Sequence, residues 1–92
     1  MFARVRITSE VPEKVDDGIR HFREVVVSGF KDVDGFKGAY LLVNRNNGKL
    51  IGITLWDTEA NMHGTAAAPK RLRAASTQVV SAPEEYEVVV QP

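Results

Sequence analysis

Apolar and polar residues alternate along the start of the chain, and then the period changes. Between Phe2 and Thr8 every second residue falls on one face, which predicts a β-strand. Pro12 suits the first turn of a helix, and after it the apolar residues recur at intervals of three and four. This spacing predicts an amphipathic helix that ends near 28–29, with an apolar stripe of Val15, Ile19, Phe22, Val26 and Phe30.

The next segment, residues 38–56, is predicted to form a β-hairpin. Asn47-Gly48 separates two apolar runs, and both residues tolerate the positive φ angles of a type I′ turn. Both runs hold more apolar residues than a sheet with one solvated face needs, so we expect cover on both sides. A chain of 92 residues buries only about 60–65% of the surface that its unfolded form exposes. A second copy of the chain is therefore predicted to cover the second face.

The remaining elements complete a ferredoxin-like order. A short helical turn is expected at 60–63, a longer helix from about 69 to 80, and a last strand at 85–91. The order strand, helix, strand, strand, helix, strand predicts an α+β fold of the ferredoxin-like βαββαβ type. In that fold a four-stranded antiparallel sheet carries both helices on one face. Residues 1–92 are predicted to form one domain.

The two faces of the predicted sheet differ in their chemistry. The face expected to pack on the helices is uniformly apolar and comprises Ala3, Val5, Ile7, Ala39, Leu41, Val43, Ile51, Ile53 and Leu55. The other face mixes aromatic and polar side chains, namely Arg4, Arg6, Tyr40, Leu42, Asn44, Thr54, Trp56 and Tyr86. That mixture is typical of a ligand pocket and equally of a dimer interface, and both interpretations stay open.

Composition narrows the classes of function. Twelve basic and twelve acidic residues cancel, so no net charge favours nucleic acid. The absence of cysteine excludes disulfides, thiolate metal sites and thiol nucleophiles. The two histidines lie far apart with no acidic residue at ligand spacing, and no metal site is predicted. No apolar run is long enough to span a membrane, and a cytoplasmic protein without nucleic-acid or membrane partners is expected.

Two short motifs resemble the dimeric α/β-barrel superfamily, in particular small proteins of the antibiotic-biosynthesis-monooxygenase type. They are Gly-Phe-Lys-Gly-Ala-Tyr at 35–40 and Ile-Thr-Leu-Trp-Asp-Thr-Glu-Ala at 53–60. The resemblance extends over the whole chain in element order and implies a homodimer whose sheets pack face to face. It also implies oxygenation of an aromatic or apolar small molecule without a cofactor. The haem-degrading members use a tryptophan in the second helix, whereas residues 61–80 contain none.

The resemblance and the residue types together select candidate site residues. His63 is the predicted catalytic proton carrier, because imidazole exchanges protons near neutral pH and the adjacent Gly64 permits a bend. Tyr40 is the second catalytic candidate and would donate a proton or hydrogen bond to a phenolic substrate. The predicted substrate-binding residues are Trp56 for stacking, Arg4 and Arg6 for an anion, and Asn44 and Thr54 for polar contacts.

Each candidate also has a purely structural interpretation. Trp56 would then anchor the dimer, Tyr40 would be a buried tyrosine with a satisfied hydroxyl, and His63 would be a surface histidine. The two arginines would pair with Glu85 or Glu87 on the neighbouring strand, and Asn44 would be part of the approach to the turn. The corresponding alternative function is a homodimer without catalysis that binds a ligand or serves a structural role.

Overall fold

Strands and helices follow one another in nearly the predicted order. A computed structural model describes residues 1–64, 78–79 and 83–92. Within this part of the chain the strands are β1 (Phe2–Ser9), β2 (Phe36–Asn44), β3 (Lys49–Trp56), β4 (Gln78–Val79) and β5 (Glu84–Glu87). Helix α1 spans 12–30 and comprises a 3-10 turn (Pro12–Lys14), an α-helix (Val15–His21), a π-helix (Phe22–Val27) and an α-helical end (Ser28–Phe30). Helix α2 is Glu59–Gly64.

The described strands form one antiparallel sheet with β1 in its interior. Strand β3 lies between β2 and β1, and both β4 and β5 pair with β1. Because β3 occupies one edge of β1, β4 and β5 follow each other along the opposite edge. The predicted ferredoxin-like α+β fold is therefore confirmed. The predicted helix at 69–80 is wrong at Gln78–Val79, which pair with β1, and its part before residue 78 lies outside the described residues.

The hairpin is confirmed, but its turn differs from the predicted type. The strands pair up to Asn44 and Lys49 and are joined by residues 45–48, so the connection is longer than a two-residue turn. Gly48 has a φ of 77°, whereas Asn47 has a negative φ, which excludes type I′. The Asn47 side chain instead accepts a hydrogen bond from the Lys49 backbone N–H at 2.9 Å. A single left-handed glycine therefore closes the loop.

The strand register determines which residues share a face, and it corrects part of the predicted assignment. Thr54 lies opposite Arg4 of β1 and Ala39 of β2. A Cβ atom at Gly52 would lie 3.1 Å from the ring of Phe22, so this side of the sheet meets α1. The helix-covered face therefore comprises Phe2, Arg4, Arg6, Thr8, Ala39, Leu41, Val43, Leu50, Gly52, Thr54 and Trp56. The opposite face, called the open face below, comprises Ala3, Val5, Ile7, Ser9, Tyr40, Leu42, Asn44, Lys49, Ile51, Ile53, Leu55, Glu84 and Tyr86.

The predicted set of residues that pack on the helices is thus right for β2 and wrong for β1 and β3. Residues 44 and 49 pair across the hairpin, so every even residue of one strand lies opposite an odd residue of the other. Placing all odd residues of the three strands on one face contradicts this pairing. The core lies where the helices meet the correct face, around the buried residues Phe30, Trp56 and Met62.

Trp56 is the centre of this core. Its ring meets Phe30 and Phe36 edge-on, with centroid distances of 5.7 and 5.4 Å. Its indole N–H donates a hydrogen bond to the Thr54 hydroxyl at 2.9 Å. Val25 and Val26, consecutive residues of the π-helical turn, both pack against the cluster. The wider π-turn therefore lets two neighbouring residues face the sheet, where a regular α-helix presents residues three or four apart.

Candidate functional site

A polar cluster occupies the helix-covered side where β1, β5 and the end of α2 meet. Arg4 and Glu85 lie opposite each other in the register, so their side chains share this face. Arg4 Nη1 lies 3.2 Å from Glu85 Oε2, and the other carboxylate oxygen, Oε1, lies 3.2 Å from Nε2 of His63. Arg4 Nη1 also donates to the Met62 carbonyl at 3.5 Å. One carboxylate therefore joins a guanidinium from the sheet to an imidazole from the helix.

An open recess of about 360 Å³ lies beside this cluster, and its described lining residues are Arg4, His63, Pro83 and Glu85. The side-chain exposure rises outward, from 17% for Arg4 to 35% for Glu85 and 54% for His63. The site thus combines a proton-exchanging imidazole near solvent with a fixed positive charge at its base.

The start of α2 is held by a separate set of hydrogen bonds, and these position His63. The Thr58 hydroxyl accepts from the Asn61 backbone N–H at 3.1 Å, which caps the helix. The Asn61 amide donates to the Asp57 carboxylate at 2.9 Å, and this hydrogen bond lowers the pKa of Asp57 from its usual 3.8. The Asp57 backbone N–H donates to the Gly35 carbonyl at 2.9 Å, which ties the helix start to the residue just before β2.

Of the predicted site residues, the structure brings Arg4 and His63 together. Arg6 lies on the same side of β1, two residues further along and opposite Gly52. Thr54 lies opposite Arg4, but it is buried and its hydroxyl accepts from Trp56. Trp56 has no exposed surface. Both residues belong to the protein's own core. Trp56 therefore has no exposed ring surface with which to stack on a substrate or to anchor a dimer.

Tyr40 and Asn44 lie away from the recess. Tyr40 stands on the open face opposite Ile53 and is 61% exposed, so the interpretation as a buried tyrosine is wrong for the single chain. Asn44 lies at the hairpin end, where its side-chain oxygen accepts from the Asn46 backbone N–H at 3.0 Å. The predicted single pocket is therefore divided between the two sides of the sheet. The structural interpretations are observed for Asn44, which shapes the turn, and for Arg4, which pairs with Glu85.

Sequence reasoning missed that Glu85 belongs to the site. It entered only as an ion-pair partner for an arginine, and its contact with His63 was not foreseen. The signal was available in part, since antiparallel pairing of the first and last strands places Glu85 opposite Arg4. Within residues 1–64, 78–79 and 83–92, no three His, Asp or Glu side chains group closely enough to hold a metal ion. Neither described helix is long and apolar enough to cross a bilayer.

Comparison with known proteins confirms the class of fold. The chain matches MhuD, a haem degrader of Mycobacterium tuberculosis, with a TM-score of 0.75 and 15% identity, over 100% of this chain and 99% of MhuD. It matches SnoaB of Streptomyces nogalater, a cofactor-independent oxygenase, with a TM-score of 0.69 and 17% identity, over 98% of this chain and 94% of SnoaB. An antibiotic biosynthesis monooxygenase matches with a TM-score of 0.66 and 15% identity, over 100% of both chains. The chain thus shares the fold of these antibiotic-biosynthesis-monooxygenase-like structures.

Closer sequence relatives occur in Mycobacterium tuberculosis. The uncharacterized protein Rv2558 is 36% identical over 93 residues, which cover 98% of this chain and 39% of Rv2558. The uncharacterized protein Rv2557 is 31% identical over 91 residues, which cover 96% of this chain and 41% of Rv2557. The chain therefore spans about two fifths of the length of these relatives. No family model matches the chain.

Proposed function

We propose that the chain is a small monooxygenase-like enzyme that needs no cofactor and acts on an aromatic or apolar small molecule. The observation that carries the proposal is the recess in which Arg4 and His63 meet through Glu85. The fold shared with SnoaB, a cofactor-independent oxygenase, supports the same reaction class. In this proposal His63 moves the proton, and Arg4 stabilises the substrate anion.

The proposed reaction converts an activated CH₂ group and O₂ into a carbonyl group and water. His63 accepts one proton from the CH₂ carbon, and the electron pair remains on the substrate as an anion that Arg4 stabilises. The anion reduces O₂ and forms a carbon-bound peroxide, which takes the proton back from His63. Loss of the second C–H proton and cleavage of the O–O bond then release water. One oxygen atom stays in the product, and the substrate supplies all the electrons.

The test uses an anthrone, which has an activated CH₂ group between two aromatic rings, with ¹⁸O₂ as the oxidant. We expect one ¹⁸O atom in the quinone product and a rate that a metal chelator leaves unchanged. His63→Gln should lower the rate about 10²- to 10⁴-fold, the usual contribution of a positioned acid–base group. His21→Gln serves as the matched control and should retain the rate, because His21 lies on α1 and does not line the recess. Oxidation no faster than in buffer alone would count against an oxygenase acting on this substrate class.

The proposed partner is a second copy of the chain, bound through the open face. The middle of this face is apolar apart from the Tyr40 hydroxyl, and Leu42 is 50% exposed there. Polar residues lie at its margins, with Asn44 and Lys49 at the hairpin end and Glu84 and Tyr86 on β5. Contiguous apolar patches of this kind are normally covered in a folded protein. Two copies packed sheet to sheet would cover both open faces at once, as the resemblance implies.

Native mass spectrometry tests the pairing and the ligand together. We expect a dimer at micromolar concentration, and a reproducible additional mass would identify a bound small molecule. A monomer at that concentration would contradict pairing through the open face, whatever the outcome of the oxygenase assay.

A second function is a homodimer without catalysis that binds a ligand or serves a structural role. The observation in its favour is that the Glu85 carboxylate already pairs with Arg4 and contacts His63 within the chain itself. Under this alternative the dimer forms, and the anthrone is oxidised no faster in its presence. Substitution of His63 would then alter neither dimer nor rate.

A further inference from the structure

We infer that the recess is a carboxylate-binding site whose place is taken, in the free chain, by the side chain of Glu85. The ligand class is an apolar small molecule that bears one carboxylate. This inference deepens the proposed function by naming its substrate class, and it rests on the proposal that the substrate binds in the recess beside Arg4 and His63.

The geometry of the cluster is that of an occupied anion site. The two oxygens of Glu85 are divided between two donors from different elements, with Oε2 on Arg4 and Oε1 on His63, each at 3.2 Å. Each donor lies on a different oxygen of one carboxylate, which is the arrangement expected where two donors bind a single carboxylate. An external carboxylate can make the same two contacts once the Glu85 side chain turns away.

Ligand binding requires the Glu85 side chain to rotate and leaves the backbone in place. Glu85 lies within β5, and its backbone pairs with Arg4 of β1. Its side chain is 35% exposed, so it can rotate toward water while the strand stays paired. A ligand carboxylate would replace the ion pair of Glu85 with Arg4 by an equivalent one, and the apolar body of the ligand would add its own contact.

The fixed charge lies at the covered end of the cluster. Arg4 is the least exposed of the three groups, at 17%, and the Met62 carbonyl helps to hold its Nη1. Glu85 keeps this charge paired while the site is empty, because a largely buried guanidinium without a counter-ion is unfavourable. A ligand with a neutral polar group in place of the carboxylate would not displace Glu85 from Arg4, and it would gain only apolar contact.

The test measures binding without turnover, so that its failure is distinguishable from failure of the oxygenase proposal. The probes are 2-naphthoate and its neutral isostere 2-naphthamide, titrated calorimetrically and followed by the NMR signals of the His63 ring. Glu85→Gln should bind 2-naphthoate about tenfold more tightly than the unaltered chain, since it removes the competing carboxylate and its charge. The affinity for 2-naphthamide should stay within about twofold in both proteins, since no ion pair is exchanged.

Glu87→Gln is the matched control, because Glu87 is on the same strand and the same side, opposite Phe2. It removes an equal charge two residues further along β5 and should change the affinity for 2-naphthoate less than about twofold in physiological salt. Arg4→Lys should weaken 2-naphthoate binding in the Glu85→Gln background, because an ammonium group lacks the planar fork of the guanidinium.

Three results would overturn the inference. The first is an unchanged or weaker affinity for 2-naphthoate in Glu85→Gln, which would make Glu85 a positioning residue for His63. The second is a Glu85→Gln variant that binds 2-naphthamide as tightly as it binds 2-naphthoate. The third is binding whose NMR shifts fall on Tyr40 and the open face instead of His63. Glu85→Thr, which suits a β-strand, repeats the test should the glutamine variant fold poorly.

Discussion

The two faces of the sheet should respond differently to substitution, and Trp56→Phe paired with Leu42→Ala measures the difference. Trp56 has no exposed surface and contributes two edge-on aromatic contacts and one hydrogen bond within its own chain. Leu42 stands on the open face with half of its surface exposed. We expect Trp56→Phe to lower the stability of each chain and Leu42→Ala to weaken association between chains.

The magnitudes follow from these contacts. Removing the indole N–H leaves the buried Thr54 hydroxyl without its donor and opens a small cavity, together about 1–3 kcal/mol of unfolding free energy. Trp56→Ala would remove about 3–5 kcal/mol, a large part of the stability of a small domain. Covering the exposed half of Leu42 contributes about 1 kcal/mol per copy, or about 2 kcal/mol for two symmetric copies. Leu42→Ala should therefore raise the dissociation constant of the proposed dimer about 30-fold.

The assay is urea unfolding followed by circular dichroism at two protein concentrations, combined with sedimentation velocity. A lower stability of the single chain gives the same change at both protein concentrations. A weaker association between chains gives a change that becomes larger on dilution. A Trp56→Phe variant that dissociates at full chain stability, beside a Leu42→Ala variant that stays dimeric, would refute the assignment of the two faces. Val11→Ala, at a 52% exposed position outside the sheet, should change neither quantity.

Three further predictions concern the loops and edges around the site. Gly35→Ala should lower the unfolding free energy by about 1–3 kcal/mol in urea titrations, because φ is 84° there and a Cβ would collide with Asp57 and Asn61; a neutral result would contradict this geometry. Asn61→Ala should raise the pKa of Asp57 toward its usual 3.8 in a carboxylate NMR titration. Because that pKa is lowered in the folded chain, the stabilisation is present above pH 3.8 and is lost as the pH falls through the folded value. Glu84→Gln should lower the raised pKa of Tyr86 toward 10.0 in an absorbance titration, since the Tyr86 hydroxyl donates to the Glu84 carboxylate at 2.9 Å; an unchanged pKa in either titration would show that the hydrogen bond is not its cause.

The elements were predictable from the sequence because each has a strong local signal. Alternation identifies β1, the Asn47-Gly48 pair identifies the hairpin, and Pro12 followed by helical spacing identifies α1. The π-helical turn had no comparable signal, since three consecutive valines at 25–27 suit several backbone conformations. The last strand begins one residue earlier than predicted and ends at Glu87. The cytoplasmic location stays a prediction.

The faces were harder to predict than the strands because both are rich in apolar residues. A sheet with one solvated side shows its orientation through alternation, whereas β3 has Ile51, Ile53 and Leu55 on one side and Leu50 and Trp56 on the other. The pairing across the hairpin shows which residues share a face. A contact with α1, such as that of Gly52 with Phe22, then shows which of the two faces the helix covers. Arg4 and Arg6 accordingly lie on the helix-covered face, although charge alone suggested the opposite.

The candidate site shows the same limit, because it depends on pairs of residues that are distant in sequence. His63 and Arg4 were each predicted from their chemistry, but nothing local places them beside each other. Their link is Glu85, which is 81 residues from Arg4 and meets it only because the first and last strands are neighbours. A ferredoxin-like order already requires that neighbourhood, since the last strand pairs with the first. Pairing those strands residue by residue selects Glu85 over Glu87 as the partner of Arg4. The short α2 helix after Trp56 then leaves His63 within reach of the same carboxylate.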